Sequence, residues 1–142
     1  MSESDIQQEI NAFLDGWEDT PSRTKKAFLQ LKEYLSGMQD IKLAFNARPG
    51  VTYSLRAAHP MQKDRDLFVM VDVIDDDPED RWLSVCFYGD MITDPEGKGD
   101  FVPEGLLGED AHCIDLEEYN DDDLSYLEAR LNEAYKSASS LK

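Results

Sequence analysis

The spacing of apolar residues changes twice along this chain, and those changes limit what it can fold into. Residues 6–38 hold two stripes with the 3.6-residue period of an α-helix, the second beginning at Thr20-Pro21, a typical helix start. Residues 41–57 and 81–88 show the period of two that strands require, whereas residues 67–74 are apolar on both faces, as in a central strand. A long irregular stretch at about 89–110 precedes a short strand at 111–116. The helical period returns after the capping residues at 120–123. The pattern predicts two helices, a series of strands and a final helix.

Five strands are expected in this region, at residues 41–47, 51–57, 67–74, 81–88 and 111–116. Their short connections favour antiparallel pairing, with helices packed on one face of the sheet. The predicted fold class is therefore α+β, with about five strands in the order ααβββββα and a single domain over residues 1–142.

The first two strands also predict their own register. Directly opposed residues of a hairpin share a face, so apolar side chains should meet apolar side chains. A two-residue loop at Pro49-Gly50 would set Phe45 against Ser54, whereas a three-residue loop sets Phe45 against Leu55. We therefore expect an odd loop with Gly50 or its neighbour in a bulge.

Charge restricts the partners this chain can have. The 142 residues carry a formal net charge of −17. Residues 21–65 hold nine basic and three acidic side chains, whereas residues 66–135 hold three basic and 22 acidic ones. Such an excess of carboxylates repels phosphates, so we expect no nucleic-acid and no membrane partner. No apolar run approaches the roughly 20 residues that span a bilayer.

The cysteines and the first residues bear on the cellular compartment. Met1 to Asp5 show neither the basic region nor the apolar stretch of a secretory signal, which predicts a cytoplasmic protein. Cys86 and Cys113 each lie in an apolar segment, which favours two buried, reduced thiols. A structural disulfide is the alternative.

Sequence motifs for catalysis or metal binding are absent. Gly97-Lys98-Gly99 lacks the spacing and the hydroxyl residue of a phosphate-binding loop. The acidic run at 75–80 fails as an EF-hand, because loop positions 6 and 12 would be Asp80 and Cys86. The two histidines, His59 and His112, have no nucleophile beside them at a useful spacing. No catalytic residue, metal site or cofactor is predicted.

One face of the predicted sheet is unusually aromatic for a surface open to water. If Val85 and Phe87 point to the core, Trp82, Cys86 and Tyr88 lie on the opposite face. Tryptophan, tyrosine and arginine are typical of recognition surfaces. The predicted binding residues are Lys42, Arg48, Arg56, Trp82, Cys86 and Tyr88. In the alternative interpretation, the long loop at 89–110 covers this face, through Phe101, Val102, Leu106 and Leu107.

Several short stretches are similar to a known bacterial family. They are Val51-Thr52-Tyr53-Ser54, Val102-Pro103-Glu104-Gly105, His112-Cys113-Ile114-Asp115-Leu116 and Leu131-Asn132-Glu133-Ala134-Tyr135. The chain resembles small α+β domains of the YjbR-like kind, which have a frataxin-like fold. The resemblance implies antiparallel strands before a final amphipathic helix, and implies no functional residue here.

Two functions remain open at this stage. The first is a non-enzymatic binding domain that holds a protein partner on the Trp82 face or on its acidic surface. The second is a small-ligand-binding domain or a small enzyme, with residues 89–110 as a lid over a pocket on that face. An open face favours the first function, and a pocket with convergent polar groups favours the second. The oligomeric state is not determined by the sequence.

Overall fold

A computed structural model describes residues 3–140 and shows an α+β fold with three helices and one antiparallel sheet. The helices are α1 (Glu3–Asp15), α2 (Thr24–Ser36) and α3 (Asp121–Ser139). The strands are β1 (Lys42–Arg48), β2 (Thr52–Ala58), β3 (Val69–Ile74), β4 (Trp82–Tyr88), β5 (Asp100–Leu106) and β6 (Glu109–Leu116). Within residues 3–140, no helix is long and apolar enough to cross a bilayer.

The sheet has six strands rather than about five, in the order β1-β2-β3-β4-β6-β5. The additional strand, β5, lies inside the stretch expected to be a loop, and it pairs with β6 as an edge strand. Its sequence did not alternate, because an edge strand with both faces near water needs little apolar patterning. Of its residues only Leu106 is buried. The predicted order ααβββββα is therefore one strand short.

The hairpin of β1 and β2 has the predicted register. Phe45 lies opposite Leu55 and Ala47 lies opposite Tyr53. Arg48 pairs with Thr52, which leaves a three-residue loop, and Gly50 takes a positive φ of 83° within it. Glycine accepts this left-handed conformation without steric cost, so the odd loop length fixes which side chains face the core.

The two predicted helix starts have different outcomes. Asn120 caps α3 as expected, because its side chain accepts a hydrogen bond of 3.0 Å from the Asp123 amide. The start of α2 at Thr20-Pro21 is wrong, since the helix begins at Thr24. Residues 20–23 form a separate turn instead, in which the Ser22 carbonyl accepts a bond from the Tyr119 amide.

All three helices pack on one face of the sheet. Phe13 of α1 stacks on Tyr53 with ring centroids 4.0 Å apart and contacts Phe45 at 5.7 Å. Tyr126 of α3 reaches the same face, where it shares a hydrogen-bonded cluster with His112 of β6. Along β3, residues 69, 71 and 73 are buried against the helices, while 70, 72 and 74 are half-buried on the other side. The helices therefore leave the second sheet face accessible.

One buried ion pair joins α1 and α2 to the sheet. Arg81 and Asp75 lie 2.7 Å apart, with the two residues only 9% and 4% exposed. The guanidinium lies within 5.6 Å of the ring centroids of Phe13, Trp17 and Tyr53. Burial alone would raise the pKa of Asp75, but bonds from the Gly50 amide and from Arg81 lower it below its usual value.

The Arg81–Asp75 pair should contribute to the acid sensitivity of the fold. Arg81→Met leaves a buried carboxylate without its cation, so we expect a loss of about 3–5 kcal/mol in the free energy of unfolding at pH 7. A carboxyl with a lowered folded-state pKa contributes stability above its unfolded pKa of about 3.9, and this is lost as pH falls through the folded value. The mutational loss should therefore shrink below about pH 4.

Urea unfolding of wild type, Arg81→Met and Arg48→Met at pH 7 and pH 3 measures this. Arg48 is exposed on β1, so its variant controls for loss of an arginine and should change stability by less than about 0.5 kcal/mol. Equal losses for the two variants would contradict a structural role for the pair.

Candidate functional site

The accessible face of the sheet, opposite the helices, is the candidate site, and we call it the open face. Strand register arranges its side chains in rows across the strands. The Trp82 row comprises Arg48, Thr52, Ile74 and Trp82; the polar row comprises Asn46, Ser54, Asp72, Ser84 and Asp115; and the Cys86 row comprises Ala44, Arg56, Met70, Cys86, Cys113 and Asp100.

Trp82 lies on the open face as the sequence predicts. Its neighbours along β4, Leu83 and Val85, are fully buried toward the helices, whereas Trp82 is half-buried. Directly opposite it in β3 is Ile74, which in turn pairs with Thr52. An indole beside an isoleucine forms an apolar patch at this end of the face.

The expected neighbours of Trp82 are not beside it. Arg56 belongs to the row of Cys86, four residues further along β4, because Met70 pairs with both. The pairing of β3 with β4 sets this arrangement, and no feature of the sequence had specified that register. The predicted cluster of Trp82, Arg56 and Cys86 is thus an extended surface rather than a compact site.

Tyr88 is not available on the open face, which corrects a predicted binding residue. It is only 1% exposed, because the Arg65 guanidinium lies over its ring at 4.0 Å. Arg65 is held there by Asp90 at 2.8 Å and Glu109 at 2.9 Å. Burial raises the pKa of the Tyr88 hydroxyl, so the ring acts as packing at the end of the face.

The three predicted cations of the open face have no salt bridge with any residue from 5 to 140. Lys42 and Arg48 lie exposed on β1, and Arg56 lies on β2, where its Nε donates to Ser54 Oγ at 3.2 Å. Five of the ten other lysines and arginines within residues 5–140 are paired with carboxylates, including Lys98 with Asp123 at 2.7 Å. In a chain of net charge −17, cations free of ion pairs are suited to binding something else.

The expectation of two reduced cysteines is wrong, because Cys86 and Cys113 are joined by a disulfide. The two residues lie directly opposite each other on β4 and β6, with Cα atoms 4.1 Å apart. Their strands are separated by the stretch expected to be a loop, so no local pattern indicated that they would be neighbours. Cys86 is therefore a covalent part of the sheet and no thiol.

The disulfide should appear in two measurements. Thiol titration of denatured protein prepared without reductant should count no free thiol, and reduction should add about 2 Da to the intact mass, one hydrogen per sulfur. With a separation of 27 residues between the cysteines, the loop-closure relation gives a stabilisation of about 3.5 kcal/mol. Urea unfolding of oxidised protein against the Cys86→Ala/Cys113→Ala variant tests this value. Two titratable thiols would contradict the bond.

Asp72 is a poorly solvated carboxylate in the middle of the polar row. Burial raises its pKa, although the Ser54 hydroxyl and the charge of Arg56 act in the opposite direction. Its Oδ1 is buried and has no hydrogen-bond partner among the described residues. The ionised side chain therefore costs the isolated domain stability at neutral pH.

Asp72→Asn should stabilise the fold at pH 7, on the order of 1 kcal/mol, because it removes a poorly solvated charge. A carboxyl with a raised folded-state pKa contributes stability at low pH that is lost as pH rises through that value. The advantage of the variant should thus vanish near pH 3. Urea unfolding at pH 3 and 7 measures it, with the exposed Asp115→Asn as control. Destabilisation at pH 7 would show that the carboxylate is needed.

Residues 89–110 do not form a lid, which corrects the alternative interpretation of this stretch. Residues 100–106 extend the sheet as β5, and Phe101 and Leu107 are 62% and 55% exposed, whereas Leu106 is fully buried. Two cavities of about 610 and 690 Å³ adjoin Arg65, at the end of the sheet that carries Tyr88. Within the three rows, residues on the edge strands such as Arg48 and Asp100 are exposed, whereas Ser54, Cys86 and Cys113 are buried.

A cluster around Asp94 anchors residues 89–99 on the helical side of the sheet. Asp94 Oδ1 accepts bonds from the Tyr126 hydroxyl and the Lys98 amide, and Oδ2 accepts from the Gly99 amide and pairs with His112 Nε2 at 2.7 Å. Burial opposes ionisation, but these bonds hold the pKa of Asp94 well below its usual range.

The Asp94 cluster is the nearest approach to catalytic geometry, and sequence reasoning missed it. A carboxylate that orients a histidine is found in nucleophilic active sites, but those sites also need a nucleophile beside the ring. The hydroxyl in the cluster, Tyr126, bonds to the same Asp94. A side chain added at Gly99 would come within 2.8 Å of the His112 ring. The arrangement therefore has a structural role, in which Asp94 holds its loop against β6 and α3.

Comparisons with known proteins gave no match. No family model matches the chain. Neither the curated proteins nor the solved structures give a significant match. The function of the candidate site is therefore argued from its geometry alone.

Proposed function

We propose that this chain is a non-enzymatic domain that binds a protein partner on its open face. The observation that carries the proposal is the half-buried Trp82 beside Ile74, on the same face as three cations that form no ion pair with residues 5–140. A tryptophan next to an aliphatic side chain supplies the apolar anchor of an interface, and arginines supply directed donors. The buried disulfide of Cys86 and Cys113 ties β4 to β6 on this side of the sheet.

The chemistry of the described residues supports binding over catalysis. Cys86 is held in a disulfide and Asp94 is committed to holding the loop, so neither is available as a nucleophile or base. The open face is a sheet surface with side chains in register, and that geometry suits another extended surface. The YjbR-like resemblance remains a proposal about ancestry and adds nothing to the choice of partner.

Photo-cross-linking in the cells that make this protein tests the proposal. A benzoylphenylalanine at Thr52 lies beside Ile74 on the open face, and one at Ala129 lies exposed on α3 as the matched control. We expect a protein adduct from position 52 and none from position 129. Adducts from both positions, or from neither, would refute a specific binding face.

Trp82→Ala should separate binding from stability. Because Trp82 is half-buried at the end of a strand, its truncation should cost about 1 kcal/mol of folding stability. The adduct yield at position 52 should fall at least about tenfold, as expected when binding loses about 1.4 kcal/mol or more. A loss of about 3–5 kcal/mol in a urea melt would instead identify Trp82 as core.

A further inference from the structure

The charges of the open face are sorted by side. Its three rows carry the cations Arg48 and Arg56 and the carboxylates Asp72, Asp100 and Asp115. Lys42 lies one row further along β1, in the row of Tyr88, where Arg65, Asp90 and Glu109 cover the ring. The cations all lie on β1 and β2, at one side of the sheet. Asp100 and Asp115 lie exposed on β5 and β6, at the other side.

We infer that the partner bound by the open face is a second copy of this chain, an inference that rests on the proposed function. The midpoint of the strand order falls between β3 and β4. A two-fold axis parallel to the strands at that midpoint places β2 of one protomer over β6 of its partner, and β1 over β5. The basic side of each protomer then lies over the acidic side of its partner. The same contact occurs twice, as a self-complementary two-fold interface requires.

The register of the rows makes this contact specific. Packed sheets lie about 10 Å apart, so side chains of the two faces interdigitate. In the Trp82 row, Ile74 meets the partner's Trp82, since these two residues flank the axis. In the Cys86 row, Arg56 lies over the partner's Cys113, between the partner's Asp100 and the partner's Asp115. Arginine beside two carboxylates is a favourable interface pair.

The charges also select against the other face-to-face arrangement. An axis perpendicular to the strands would set β1 on the partner's β1 and bring Lys42 toward the partner's Arg48. Like charges across an interface are costly and discourage that pairing. It would also place Arg56 near the partner's β2, which carries no carboxylate.

The size of the face indicates a weak, reversible dimer. Six strands about 4.8 Å apart and three rows of side chains give a face of about 24 by 20 Å. A dimer would therefore bury about 1,000 Å², counted over both partners. That area lies at the lower limit for specific interfaces, where affinities are weak. We expect a dissociation constant on the order of 100 µM.

Charge reversal in two variants tests the arrangement. Arg56→Glu and Asp100→Lys/Asp115→Lys each set like charges against each other at both ends of their own homodimer. In a mixed dimer, the glutamate introduced at position 56 of one chain meets the two introduced lysines, and the unchanged Arg56 of the other chain meets natural carboxylates. Lys63→Glu, an exposed change outside the face, is the control for net charge.

Sedimentation velocity over a range of concentrations, with circular dichroism to confirm folding, measures each form. We expect wild type and Lys63→Glu to dimerise, each face variant alone to be at least about tenfold weaker, and their equal mixture to recover wild-type affinity. The inference would be overturned if wild type stayed monomeric at a concentration about ten times the expected dissociation constant. It would also be overturned if the face variants dimerised as wild type does, or if their mixture stayed monomeric. Adducts of position 52 with a different protein would overturn the dimer yet leave the proposed function standing.

Discussion

The ion pair of Arg81 and Asp75 is the interaction on which the rest of the fold depends. The guanidinium lies near the rings of Phe13 in α1 and Trp17 just after it. The Arg81 carbonyl accepts a 2.7 Å bond from the Thr24 hydroxyl, and Asp75 accepts a 2.9 Å bond from the Gly50 amide. One buried pair therefore joins the first two helices, the first hairpin and the β3–β4 turn. A buried charge is stable only next to its counter-ion, so the position of this pair determines the sheet face on which α1 packs.

With the helices committed to one side, the other side of the sheet carries the molecule's capacity for recognition. Charge is distributed unevenly over that side, with its cations on β1 and β2 and the exposed Asp100 and Asp115 on β5 and β6. The covalent link between β4 and β6 makes the centre of that face rigid. A rigid surface loses little conformational entropy on binding, so a modest area can still support a specific contact.

Local patterns predicted much of this fold, and non-local pairings account for what they missed. The Phe45–Leu55 register and the Asn120 cap follow from neighbours in sequence, and both were confirmed. The position of Trp82 on the open face followed from alternation within β4 alone. The cysteine pair, Arg65 above Tyr88 and the strand β5 all depend on which distant segments meet, and periodicity contains no such information. Tyr88 is an example, because alternation indicated the sheet face on which it lies but not that Arg65 covers its ring.

The two edges of the sheet differ in how they meet water, and the edge formed by β5 has a consequence for aggregation. Pro103 offers no amide hydrogen, and Glu104 takes a φ of 55° that bends the strand. Gly105 has no room for a side chain, since a Cβ there would meet Val102. A bent edge with a missing donor is a poor template for another strand. Strand addition is therefore disfavoured at this end, which lowers the tendency of this edge to seed fibres.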